Sequence, residues 1–255
     1  AGRGLHEVLK EVRRLRGRNE PAAADQDASA SDPLATVVAR GFVTGRFDAA
    51  DSNLTSVAPA EYFRSVARIG RQAAEGLAFA HSEGILHRDI KPSNLLADET
   101  GKVWLADFGL AKSEGLDDLT GSGELLGTLR YMAPERLQGR EDESTDVYSL
   151  GATLYELSTL EPVYAAKDRT ALMRKIAEEE PRPPREIDPA IPENLEAIVS
   201  KAMARAPSER YASAEALARD LDGFLEGGPV SAKPWLDRMQ QARLRHRRRW
   251  ILASA

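Results

Sequence analysis

The chain has 255 residues, of which 42% are hydrophobic and 29% charged, a balance that excludes disorder along its whole length. It contains no cysteine, which rules out a disulfide scaffold, a thiol nucleophile and a thiolate zinc site, and its histidines (His6, His81, His87 and His246) are too scattered for a metal cluster. A net charge of −5 argues against a nucleic-acid binder, and no run of 18 apolar residues is present to form a complete membrane-spanning helix.

No signal-peptide pattern opens the chain, and the lack of cysteine fits a reducing, cytoplasmic compartment. The sequence starts at Ala1 and not at Met, so the expectation is a fragment or a processed product. The first element is a helix over 4–16, where Leu5, Val8, Leu9, Val12 and Leu15 recur at three- and four-residue spacing. Its other face carries Lys10, Arg13, Arg14 and Arg16, read as a solvated face on a core-docking helix. Residues 19–35 are rich in Ala, Asp and Ser, with Pro21 and Pro33. Residues 36–60 show no sustained period, so 18–60 is assigned to an insertion or linker.

Helical periodicity returns over 61–81 with Phe63, Val66, Gly70, Ala73, Leu77 and Ala80, and Gly84 suits the stop. Two or three short strands are predicted among the segments Ile85-Leu86, 94–97 and 102–106, the last two joined by the hairpin-type turn Asp98-Glu99-Thr100-Gly101. Val147, Leu150, Leu154 and Leu157 mark a buried helix starting at 144. Further helices are expected at 168–179 with Asp168 as cap, at 192–205, and at 213–226 between Ser213 and Gly227. The tail ends in a basic run, RLRHRRR at 243–249, followed by Trp250-Ile251-Leu252-Ala253. It reads either as the cytoplasmic flank of a membrane helix, hence a membrane anchor just beyond it, or as an exposed basic helix end.

Three motifs carry chemistry. His87-Arg88-Asp89-Ile90-Lys91-Pro92-Ser93-Asn94 comes first, Asp107-Phe108-Gly109 begins 18 residues after Asp89, and Ala133-Pro134-Glu135 follows. In this order and spacing they resemble the protein kinases, in the serine/threonine branch and most of all its bacterial members with eukaryotic-type catalytic domains. The resemblance implies an ATP- and Mg2+-dependent phosphotransferase acting on protein Ser/Thr hydroxyls. Asp89 would orient the acceptor hydroxyl and take its proton, and Lys91 would neutralise the transferring phosphoryl group. Asn94 and Asp107 would supply the hard oxygen donors that magnesium prefers. Thr128, in Gly127-Thr128-Leu129-Arg130-Tyr131, matches the threonine that contacts the catalytic aspartate and lysine. Asp89, Lys91, Asn94 and Thr128 are therefore the candidate catalytic residues, with Lys91, Asn94 and Asp107 facing the nucleotide and metal. Taken singly, Asp89 and Asp107 could be turn residues beside a strand, and Asn94 could merely hold a loop.

His87 is assigned to holding its loop through backbone hydrogen bonds, and His81 to packing at a helix end. Thr120 and Ser122 are the plausible phosphate acceptors of the 107–135 segment, with Arg88 as the guanidinium such a phosphate would meet. By the same resemblance Asp146 braces the catalytic loop from a buried helix, and Arg210 pairs with Glu135.

No Gly-rich loop with a following Val-Ala-x-Lys strand precedes the catalytic loop. The expected fold is α+β, a kinase-like large lobe that is mostly helical with short hairpins around the catalytic loop. The expected organisation is a helix following the inter-lobe hinge (1–17), the insertion (18–60), the lobe (61–227) and a basic juxtamembrane-like tail (228–255). This chain alone would then turn over poorly. The competing reading is a pseudokinase-like scaffold that docks partners and transfers nothing; four intact polar residues argue against it and the missing small-lobe motifs argue for it.

Overall fold

The computed structural model describes residues 2–17, 33–45, 59–108 and 124–238. The predicted Thr120 and Ser122 acceptors, Gly109, and the basic run at 243–249 lie outside them. In chain order the elements are β1 (Arg3–Gly4), α1 (Leu5–Leu15), α2 (Pro33–Thr44), α3 (Pro59–Ser82), β2 (Leu95–Ala97), β3 (Val103–Leu105), α4 (Glu124–Leu129), α5 (Glu143–Thr159), α6 (Arg169–Glu178), α7 (Pro184–Ile187), α8 (Glu193–Ala202) and α9 (Ala214–Glu226). Among the described residues the architecture is the expected α+β one: mostly helical, with one small antiparallel sheet in the order β1-β2-β3.

Helix α5 is the axis of the core. Every residue from Thr145 to Thr159 is buried, polar Ser149, Thr153, Glu156, Ser158 and Thr159 included. The hydroxyls are tolerated because they return to carbonyls one turn back, as in Ser149 to Thr145 O (3.0 Å), Thr153 to Ser149 O (2.9 Å) and Ser158 to Leu154 O (2.7 Å). The Asp142 side chain caps the helix by accepting from Ser144 N (2.8 Å). Helix α3 crosses α5 closely at Gly70, where an added Cβ would lie 2.7 Å from Leu154 Cδ2. A larger residue there would force the two helices apart. Helix α3 ends at Gly84, φ +73°, with Ile85 N returning to Ala80 O (2.9 Å), a left-handed C-terminal closure.

Four features depart from the sequence reading. Ile85-Leu86 joins no strand; the third strand is β1, two residues long and too short to leave an alternating pattern. Within 18–60, Pro33–Thr44 forms a helix that buries Ala35, Val38, Ala39 and Phe42, one face at helical spacing, so that stretch is not all linker. The basic face of α1 is only partly solvated: Arg13 is buried, and Arg16 stacks 4.6 Å from the ring centre of Tyr62. The beginning of the 228–255 tail docks against α9, where Asp220 accepts from Ser231 N (2.8 Å) and Ala232 N (2.9 Å) and Val230 and Leu236 are buried.

Candidate active site

The site is built on the irregular segment between α3 and β2. Asp146, near the start of α5 and 1% exposed, turns its carboxylate towards this segment. It accepts from His87 N (2.8 Å), Arg88 N (2.8 Å) and His81 Nε2 (2.9 Å). These bonds hold Arg88 at φ +67°, a left-handed conformation that costs a non-glycine residue ~1–3 kcal/mol. The reversal presents Asp89 on the next residue.

His87 fills the space beneath. Its Nε2 meets Ala106 O (3.0 Å), its Nδ1 lies 3.4 Å from Asp89 N, and its ring stacks at a tilt on Phe108, centroid to centroid 4.5 Å. Burial pushes the imidazole below its ordinary pKa, against the opposing pull of Asp146. The ring is therefore neutral at pH 7, with the proton on Nε2 donated to Ala106 O and Nδ1 left as acceptor.

Four of the five predicted residues converge. Lys91 Nζ lies 3.0 Å from Asp89 Oδ2 and donates to Thr128 Oγ1 at 2.9 Å. Asn94 Nδ2 donates to Asp89 O (2.8 Å) and to Asp89 Oδ2 (3.1 Å). Two acceptors on one side fix the amide orientation, so Asn94 Oδ1 faces the other way, where it accepts from Ser93 Oγ at 3.1 Å. Asp107 is reached through its neighbour: Ala106 N donates to Asn94 O (2.9 Å) while Ala106 O meets His87. Asp107 then takes φ +57° and leaves its side chain exposed. An amide oxygen and an exposed carboxylate on neighbouring stretches of backbone are hard donors, a set that suits magnesium, which completes its shell with water and phosphate oxygens.

A family model described as the protein kinase domain matches residues 51–221. The chain belongs to the protein kinase domain family. Among curated relatives, a probable serine/threonine-protein kinase of Streptomyces coelicolor is 37% identical over 161 residues, covering 62% of this chain and 24% of that protein. The tyrosine-protein kinase MasK of Myxococcus xanthus is 41% identical over 169 residues, 63% of this chain and 26% of its own. The serine/threonine-protein kinase PknL of Mycobacterium tuberculosis is 37% identical over 164 residues, 64% and 41%. The chain thus spans 24–41% of the length of these relatives.

Two buried ion pairs fasten this kinase domain's 128–135 segment to the helical core. Arg210, its side chain fully buried, meets Glu135 through Nη2 to Oε2 at 2.8 Å and also donates to Ala204 O (2.7 Å) and Ser144 O (3.0 Å). Glu156, inside α5, accepts from Arg13 Nη2 (2.7 Å) and from the hydroxyl of Tyr131. Burial and then the neighbouring Glu156 carboxylate push the Tyr131 phenol well above its ordinary pKa, so it stays a donor. Reading the sequence finds the first pair and misses the second. The available signal was Glu156 itself, a carboxylate within the apolar repeat of α5, which needs a cationic or donor partner to be buried. A separate cavity of about 350 Å3, lined among others by Tyr148, Tyr155, Tyr164 and Trp235, contains none of the predicted site residues. Among the described residues no helix is long and apolar enough to cross a membrane.

Proposed function

We propose that this chain is the acceptor-positioning and metal-holding part of a serine/threonine protein kinase that uses ATP and magnesium. The observation that carries the reading is the Lys91 ammonium, shared between the Asp89 carboxylate (3.0 Å) and the Thr128 hydroxyl (2.9 Å). Phosphoryl transfer asks little covalent chemistry of a protein; it needs an aligned hydroxyl and charge placed around the moving group. Asp89, held by Lys91 and by Asn94 Nδ2, orients a Ser or Thr hydroxyl and accepts its proton at the carboxylate. Lys91 lies one hydrogen bond away, where its charge offsets that of the phosphoryl oxygens. Asn94 Oδ1 and the Asp107 carboxylate would hold magnesium, which supplies charge neutralisation on the phosphate oxygens when bound. Thr128 ties Lys91 to the segment leading to Ala133-Pro134-Glu135, so acceptor and phosphate sides share one ammonium. The Lys91–Thr128 bond supports Ser/Thr as the acceptor class; substrates are proteins bearing such hydroxyls. The basic run at 243–249 with Trp250 directly after it fits the flank of a membrane anchor or, equally, an exposed basic helix end.

The test uses the longer natural protein containing this chain, with γ-labelled ATP, magnesium and a generic basic protein substrate. Phosphoserine or phosphothreonine is expected, with Asp89→Asn lowering kcat by ~10²–10⁴-fold. Phosphotyrosine as the product would overturn the acceptor class, and unchanged kcat in Asp89→Asn would overturn the role of Asp89. The 255-residue chain alone, whose sequence has no Gly-rich loop followed by Val-Ala-x-Lys, is expected to give no measurable transfer.

A further inference from the structure

The residue before Asp89 is held by more than Asp146. Arg88 Nε lies 3.1 Å from Glu141 Oε2. The other carboxylate oxygen, Oε1, accepts from Arg136 Nε (2.9 Å) and lies 2.7 Å from Arg136 Nη2. Arg136 closes the circuit by donating from Nη1 to the carbonyl of Arg88 at 2.5 Å. One carboxylate therefore lies against two guanidinium groups, hydrogen-bonded to Arg136 and in ion-pair contact without a hydrogen bond to Arg88 Nε, and the Arg136 guanidinium grips the backbone of the residue at φ +67°. Glu141 is on the connection into α5, beside the Asp142 cap, so its position is set by a rigid helix start. Without an anion between them, Arg88 and Arg136 would repel each other across the carbonyl that Arg136 holds.

We propose that Glu141 is an in-chain anion that clamps the catalytic loop, holding Arg88 and Arg136 together so that Asp89 is presented without a phosphate on the 107–135 segment. Glu141 is a positioning residue: its influence on Asp89 runs through Arg88 and Arg136. An added phosphate near Arg88 has to compete with a carboxylate already in place, so such a modification would tune this loop and not switch it on. The functional meaning rests on Asp89 being the catalytic carboxylate; the clamp itself does not.

The test is hydrogen exchange of the purified chain, read on peptides covering 88–94, with no nucleotide or substrate present. Glu141→Gln and Glu141→Ala are expected to speed exchange there by roughly three- to tenfold while far-UV circular dichroism is unchanged. Inorganic phosphate is the probe for the anion requirement: it should restore protection in Glu141→Ala and leave the wild-type chain unaffected. Arg140→Ala, which removes a neighbouring exposed cation, should change nothing. Unchanged exchange in both Glu141 variants would overturn the clamp. Faster exchange that phosphate fails to restore would overturn the claim that negative charge is what the two arginines need. Neither result depends on phosphoryl transfer, so failure of the clamp and failure of the kinase reading are separable.

Discussion

Asp146→Asn should loosen the loop at 87–94 while leaving the helix that carries it intact. The carboxylate serves three donors with two oxygens: Oδ2 takes His87 N and His81 Nε2, and Oδ1 takes Arg88 N. An amide has one oxygen, so in either orientation at least one buried N–H faces an NH2 group. An unsatisfied buried donor costs ~1–3 kcal/mol, and the remaining bonds lose the charge assistance that roughly doubles their strength. Together these give a loss of about 2–4 kcal/mol, or a Tm lowered by ~5–15 °C for a chain of this size. Urea denaturation measures the first quantity, and hydrogen exchange over 85–94 shows where the loss is felt. Asp168→Ala is the control. It removes the N-cap of a different helix, α6, at ~0.5–2 kcal/mol, and should leave exchange in the loop as it was. A loss below ~0.5 kcal/mol in Asp146→Asn, with unchanged exchange at His87 and Arg88, would refute the idea that this carboxylate sets the left-handed turn before Asp89.

Two further outcomes follow from the same geometry. Arg210→Met strands the Glu135 carboxylate in a site where the arginine side chain is fully buried, so ~3–5 kcal/mol should be lost in urea denaturation. Adding Glu135→Leu should recover part of this loss, and strictly additive losses would show that the pair is not coupled. The folded His87 imidazole has its pKa below the ordinary value of 6.5, so the unfolded chain binds a proton that the folded chain refuses. Stability from this group is therefore complete above pH 6.5 and falls as pH drops from there towards the folded pKa. His6, also lowered by burial, acts in the same direction. Denaturation midpoints from about pH 7.5 to 5.5 should decline less in His87→Asn than in the wild-type chain, and an identical decline would refute the assignment.

What could be read from the sequence divides along physical lines. Helices with one apolar face and a local cap, such as α6 with Asp168 and α9 between Ser213 and Gly227, are legible because period, cap and stop lie within one short window. The convergence of the candidate residues was legible for another reason: Asp89, Lys91 and Asn94 fall within six positions, so one loop carries both their order and their spacing. The Glu141 clamp had no such signal. Its carboxylate, Arg88 and Arg136 are spread over more than fifty positions, and each reads locally as an ordinary surface charge. Helix α2 shows a third kind of failure, since Ala35, Val38, Ala39 and Phe42 do keep helical spacing, but the Ala-, Asp- and Ser-rich run before them dominates the composition of the window.

Arg13 joins these cases to function. On α1 alone it belongs with Lys10, Arg14 and Arg16 on a basic face, and solvation is the economical reading. Helix α5 contains a buried carboxylate, which is costly to leave without a partner, and Arg13 Nη2 reaches it at 2.7 Å while its Nε caps the end of the same helix at Leu160 O (2.9 Å). The second oxygen of Glu156 is then free to take the Tyr131 hydroxyl, three residues beyond Thr128. A charge on the first helix of the chain is thereby connected, through one buried carboxylate, to the segment whose threonine holds Lys91. The requirement that buried charge be paired ties the first helix of this chain to the side of the site where an acceptor hydroxyl would lie.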